Sequence, residues 1–153
     1  MYKVEHFTDS IYYQIELTAK YCRSLGTQIF TKLDIPITLD EFSALDVIML
    51  NEGICQRELA KLILKDRANT GRILNILEEK GLIERFADTK NKRLVRKMRL
   101  TDKGKDVVKN ATLRVRKQLN QVSNIISEEE IVSLKRIMNN FREGLKQEVE
   151  MKI

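Results

Sequence analysis

Proline occurs once in the 153 residues, glycine six times, cysteine twice, histidine once, and tryptophan is missing. Each scarcity excludes something. With Pro36 as the only proline and no Gly/Ser-rich stretch, the chain has no low-complexity linker, and no internal repeat interrupts it. Two cysteines, Cys22 and Cys55, cannot build a disulfide framework, and they fit a reducing cytoplasm best. One histidine, His6, gives no His/Cys metal cluster and no general base in a catalytic group. There is no Gly-rich phosphate loop and no nucleophile elbow, so neither an enzyme nor a bound cofactor is expected. No apolar run approaches the roughly 20 residues that span a bilayer, and the N-terminal residues lack the pattern of a secretory signal.

What is present is core-forming sequence and an uneven charge. Hydrophobic residues make up 42% of the chain, enough for a packed interior, and the formal net charge is +6. Residues 1–53 carry a net −4, residues 54–100 a net +7 and residues 101–153 a net +3. A basic middle flanked by less basic arms is the pattern of a polyanion-binding face on a scaffold; the plain alternative is a solvated basic surface.

Apolar periodicity organises the arms. Phe7, Ile11, Ile15, Ala19, Cys22, Gly26, Ile29 and Leu33 recur every three or four residues, predicting one helix from about Glu5 to Leu33 that Pro36 terminates. Thr38 and Glu41 form a capping box for a second helix, with Phe42, Leu45, Ile48, Met49 and Leu50 apolar and Gly53 as its stop. Thr101 opens a helix predicted to reach about Ser123, with Val107, Val108, Ala111, Leu113, Val115, Leu119 and Val122 apolar. Ser127 and Glu130 make a second capping box for a last helix, with Ile131, Leu134, Ile137, Met138, Phe141 and Leu145 inward.

The middle reads differently. A short helix from Gln56 to Leu64, with Leu59, Ala60, Ile63 and Leu64 inward, precedes a tight turn and a helix from Arg67 to Lys80 with Asp66 as N-cap. The period then shortens: residues 82–86 and 94–100 read as two strands, Leu94, Met98 and Leu100 sharing a face, joined by a basic tip. Helix, turn, helix and basic hairpin make a winged helix-turn-helix. Its second helix suits the major groove, and its wing suits the backbone or the adjacent minor groove.

Along most of its length the chain resembles the MarR family of bacterial transcriptional regulators. The resemblance rests on Leu59-Ala60, Asp66-Arg67, Arg72, Leu77-Glu78, Gly81-Leu82-Ile83 with Arg85, Asp88, Arg93, Leu100-Thr101 and Gly104 as an ordered set. It implies a mainly α fold with a small β-hairpin wing. Residues 1–37 and 101–153 would supply the dimerisation helices and residues 38–100 the DNA-binding lobe. It further implies a cytoplasmic homodimer on a palindromic promoter site, usually a repressor, relieved by a small aromatic or other organic effector or by cysteine oxidation. The partners expected are thus double-stranded DNA and a second copy, with no membrane.

Within that frame the recognition helix offers Arg67, Asn69, Thr70, Arg72 and Asn75. Arg72 suits a guanine or a phosphate, Asn69 an adenine or merely the cap, and Arg67 and Thr70 phosphates. Lys90, Lys92 and Arg93 form the wing, with Arg93 assigned to the minor groove; Lys61 and Lys65 are weaker phosphate candidates. Gly71 interrupts the helix at a cost of about 1 kcal/mol relative to alanine. Asn91 stands where the family usually has an acidic residue, and Cys55 where a hydroxyl often caps. The stretch from Asp88 to Thr101 is one residue longer than expected, which a β-bulge would absorb. Cys22 is either a redox thiolate beside Lys20 and Arg23 or a buried structural cysteine. Tyr12, Tyr13 and Tyr21 fit packing better than a ligand pocket. The alternatives left open are a redox-sensing regulator using Cys22 and a helical protein-interaction module whose basic lobe binds an acidic partner.

Overall fold

Near its N-terminus the chain makes a single 3-10 turn, Phe7–Asp9, before its first helix, α1 (Ile11–Lys32). The turn replaces the first part of the helix predicted from Glu5. Ser10 is extended (φ −73°, ψ 149°) and its hydroxyl accepts the Tyr13 N–H at 3.2 Å, so helical geometry starts only after it. In the computed structural model of the chain the described residues are 2–150, without the side chains of residues 121–123, so the position assigned to Val122 lies outside the described side chains. The described residues form two compact units that divide after Leu39. In the first, Ile29, Phe30 and Ile37 are buried, whereas Ile11, Tyr12 and Tyr21 stay exposed. Cys22, expected on the inward stripe, is exposed too.

The second unit contains α2 (Leu39–Leu50), β1 (Ile54–Cys55), α3 (Gln56–Ile63), α4 (Arg67–Glu79), β2 (Ile83–Lys90), β3 (Arg93–Leu100), α5 (Asp102–Val122) and α6 (Glu128–Glu148). A second 3-10 turn, Ser123–Ile125, separates the last two helices. Leu45, Ile48, Leu59, Leu74, Leu77, Met98 and Val108 are fully or almost fully buried, so α2, α3, α4, β3 and α5 each contribute to the interior. Leu50, assigned to the apolar side of α2, is instead exposed at the helix end, and Ala44 takes an inward place. Leu134 and Ile137 of α6, and Leu113 of α5, also lie exposed in the single chain. Among the described residues no helix is long and apolar enough to cross a membrane.

The sheet has three antiparallel strands in the order β1-β3-β2, one more than the hairpin predicted from sequence. Ile54 pairs with Met98 and Cys55 with Lys97. Gly53, at φ +82°, turns the chain from α2 into this strand and donates its N–H to the Met98 carbonyl at 3.1 Å. The hairpin itself is longer than expected. Its register runs without interruption from Ile83 opposite Leu100 to Lys90 opposite Arg93, so no bulge exists. Only Asn91 and Lys92 lie between the strands, at φ 52° and 62°. Two consecutive positive φ values define a type I′ turn, whose twist matches that of the strands it joins. The added length therefore extends the ladder instead of distorting it. Leu94 does share a face with Met98 and Leu100, but it lies beyond the core and is exposed.

Lysine is poorly suited to the second position of that turn, because the left-handed conformation presses Cβ toward the following carbonyl at roughly 1–2 kcal/mol. Lys92→Gly removes that strain and creates the asparagine-glycine pair such turns favour. Part of the gain is offset by the freedom glycine loses on folding. The expected net result is a wing more stable by about 0.5–1 kcal/mol, seen as slower amide exchange across β2 and β3. Unchanged or faster exchange would show that the turn carries no strain.

Candidate nucleic-acid interface

The two helices of the motif are set by their ends. At the end of α3, Leu64 adopts a left-handed conformation (φ 52°), and the Lys65 N–H reaches back to the Ala60 carbonyl at 3.1 Å. Turning the chain this way leaves Leu64 exposed rather than inward as its sequence position suggested. Asp66 then caps α4: its carboxylate accepts the Asn69 N–H at 2.8 Å and the Asn69 side-chain N–H at 2.6 Å. These two bonds from Asn69 hold the Asp66 carboxyl below the usual aspartate value. At the start of α3, Cys55 stands at the N-cap, and its own N–H donates to Glu58 Oε2 at 3.3 Å.

Thr70, Ile73, Leu74 and Leu77 form the inner face of α4. Thr70 is fully buried, and its hydroxyl donates to the Asp66 carbonyl at 2.8 Å. It therefore cannot touch a phosphate, and the sequence assignment is corrected. The signal was available, since Thr70 precedes Ile73 and Leu74 by three and four residues. Asn69 is exposed, but its amide is held by Asp66, which favours the capping reading in the free protein.

Arg67, Arg72 and Asn75 come together on the outer side of α4, where with Gln56, Ala68, Gly71, Ile76 and Glu79 they line an open concavity. Gly71 lies among them, and a Cβ built there would come within 3.4 Å of the Gln56 side-chain nitrogen. Asn75 is not free: its oxygen accepts from Arg85 of β2 at 2.7 Å. Arg85 has no task legible in the sequence, because its partners Asn75 and Glu78 lie ten and seven residues back along the chain.

The cations divide into committed and uncommitted groups. Lys65 pairs with Asp40 at 3.2 Å, and Lys90 pairs with Glu58 of α3. Lys97 donates to Asp88 at 2.9 Å, a bond that, with the Thr89 N–H, holds the Asp88 carboxyl below its ordinary value. Arg99 donates to Glu84 at 2.8 Å, and its guanidinium lies 4.8 Å from the Phe86 ring centre. The side chains of Lys61, Arg67, Arg72, Lys92 and Arg93 are exposed and have no hydrogen-bonding or ionic partner among the described residues. Arg96, on β3 and overlooked in the sequence, joins them.

A short helix, a capped turn, a helix with a cationic outer face, and a three-stranded sheet ending in a basic type I′ hairpin define a winged helix-turn-helix protein. Residues 37–95 match the model of the MarR family. Over 94 residues the chain is 34% identical to YybA, an uncharacterised HTH-type transcriptional regulator of Bacillus subtilis strain 168, and the match spans 61% of this chain and 61% of that relative's length. The solved structure of the transcriptional regulator SlyA is similar with a TM-score of 0.74 at 30% identity, covering 91% of this chain and 96% of that one. A mutant MarR of E. coli complexed with operator DNA shares the fold with a TM-score of 0.75 at 23% identity, covering 90% and 99%. The chain belongs to the MarR family of transcriptional regulators.

Proposed function

We propose that the chain is a cytoplasmic, homodimeric, sequence-specific DNA-binding repressor that acts on a palindromic promoter site and is released by a small organic effector. The observation that carries this reading is the row of uncommitted cations: Arg67 and Arg72 on the outer face of α4, and Lys92 and Arg93 at the wing. A helix and a hairpin that both carry cations are the two elements a winged helix-turn-helix lays against a duplex, whereas an acidic protein partner would require no hairpin. That the E. coli relative was solved with operator DNA supports the same mode here.

Dimerisation is supported by apolar surface that a single chain leaves uncovered. Ile11, Tyr12 and Tyr21 in the N-terminal unit, and Leu113, Leu134 and Ile137 in α5 and α6, are all exposed. Exposed apolar side chains repeated along a helix face mark an association surface. In this reading residues 1–37 and 101–153 form the dimer layer and residues 38–100 the DNA-binding lobe. Two copies related by a twofold axis would address half-sites about 10 base pairs apart, centre to centre.

Selection of bound sequences from random duplex DNA tests the proposal. The expected product is a symmetric site with two half-sites, and the absence of any enriched sequence would overturn it. The wing is tested separately by Arg93→Ala, which should lower the slope of log affinity against log salt by about one per subunit. A slope equal to that of the unaltered protein would show that Arg93 does not touch DNA.

A further inference from the structure

Asparagine is the residue that ordinarily reads adenine, because its amide donates to N7 and accepts from the N6 amino group at once. That reading requires both ends of the amide. At Asn75 the oxygen end already accepts a bond from a cation. Arg85 of β2 is nearly buried, its side chain 11% exposed, and its guanidinium donates to Asn75 Oδ1 at 2.7 Å. Arg85 Nε is closed to solvent and lies 3.5 Å from Glu78 Oε2, an ion pair without a hydrogen bond. The arginine is thus held between two residues one turn apart on α4.

The orientation of the Asn75 amide follows from chemistry. A guanidinium has only donors, so it must meet the amide oxygen; turning the amide over would set NH2 against a cation. The NH2 end is then the one left for a ligand, and Asn75 is among the residues that line the concavity with Arg67 and Arg72.

We propose that Arg85 is a positioning residue that fixes Asn75 as a donor, so that Asn75 reads guanine where an untethered asparagine would read adenine. The inference rests on α4 being the helix that enters the major groove. In that groove guanine presents two adjacent acceptors, N7 and O6, to the two hydrogens of the NH2. Adenine presents one acceptor beside an amino group, which would have to share the oxygen with the Arg85 guanidinium, a cation that disfavours a second N–H donor beside it. Discrimination of guanine over adenine by about fivefold or more is expected, the low end of a two-bond contact.

Selection from random DNA tests this with four variants. Asn75→Ala identifies the operator position that Asn75 reads as the one whose preference disappears. At that position the unaltered protein should select guanine. Arg85→Met keeps the buried stem but releases the amide, and should move the preference to adenine; Arg85→Lys keeps a donor and should retain guanine. Should Arg85→Met fail to fold, Asn75→Asp serves instead. It keeps the bond to Arg85, replaces the outward NH2 with an oxygen, and should select cytosine, whose amino group donates. Adenine selected by the unaltered protein, or guanine retained by Arg85→Met or Asn75→Asp, overturns the inference. So does an enriched site with no position that responds to Asn75→Ala, although α4 would still be the reading helix. Failure to enrich any site counts against DNA recognition itself.

Discussion

Gly104→Ala is expected to destabilise the protein by about 3 kcal/mol, the upper range for forcing atoms into a packed site, and to lower its melting temperature by roughly 6–12 °C. The reason lies in the junction between the wing and α5. A Cβ built on Gly104 would fall 2.0 Å from the Leu82 carbonyl oxygen and 3.0 Å from its carbon, far inside contact distance with backbone that cannot rotate away. That carbonyl is already used, accepting the Thr101 N–H at 3.0 Å. Thr101 adds two more bonds: its hydroxyl donates to the Gly81 carbonyl at 2.6 Å and accepts the Gly104 N–H at 3.1 Å. Lys103 closes the seam by donating to the Lys80 carbonyl at 2.9 Å. Relief of the clash must move α5 away from residues 80–82 and break several of these bonds together. Gly144→Ala on α6 is the control, because nothing lies within 4 Å of its built Cβ. It should stabilise the helix by up to about 1 kcal/mol through propensity alone. Urea unfolding of both variants checks the pair, and a Gly104→Ala protein as stable as the unaltered one would show that the seam can yield.

How much of this was legible in the sequence depended on the reach of each interaction. Caps are decided within four residues, and two could be read, though Ser10 could not: Asp66 caps α4, and Ser127 exchanges bonds with Glu130 at 3.2 and 2.8 Å. The inner face of α4 was readable in part, because Ile73, Leu74 and Leu77 announce it, yet Thr70 belongs to the same face and was set aside for its polarity. Strand β1 was not readable. Its two residues carry no period, and they form a strand only because β3, more than 40 residues further on, offers an edge. The type I′ turn was hidden by Lys92, since the sequence shows an asparagine but no glycine after it. The Arg85–Asn75 bond and the Lys90–Glu58 pair depend on how the wing leans toward α4 and α3, a tertiary fact with no local signature. Exposure in the arms was not legible for a different reason. Periodicity at Cys22, Leu134 and Ile137 marks an apolar face, but it does not say whether the same chain covers that face.

Affinity for duplex DNA is expected to fall by about 10³–10⁵ when salt rises from 50 to 200 mM. The size of the effect follows from which cations are available. Counterion release depends on the number of phosphates neutralised, and a lysine already paired with a carboxylate contributes less than its formal charge suggests. Lys65 and Lys90 are held by Asp40 and Glu58, and Lys97 and Arg99 by Asp88 and Glu84. Lys61, Arg67, Arg72, Lys92, Arg93 and Arg96 are not so held. In the proposed dimer, six such side chains on each subunit make on the order of 6–10 phosphate contacts once some are spent on bases, the range in which a drop of that size is observed. The net charge of +6 alone would not predict it, since that figure counts paired and free lysines alike. Fluorescence anisotropy with a labelled duplex across a salt series measures the slope directly. A drop of less than tenfold over that interval would mean that the cationic face does not engage the backbone, and the basic lobe would then be solvated surface.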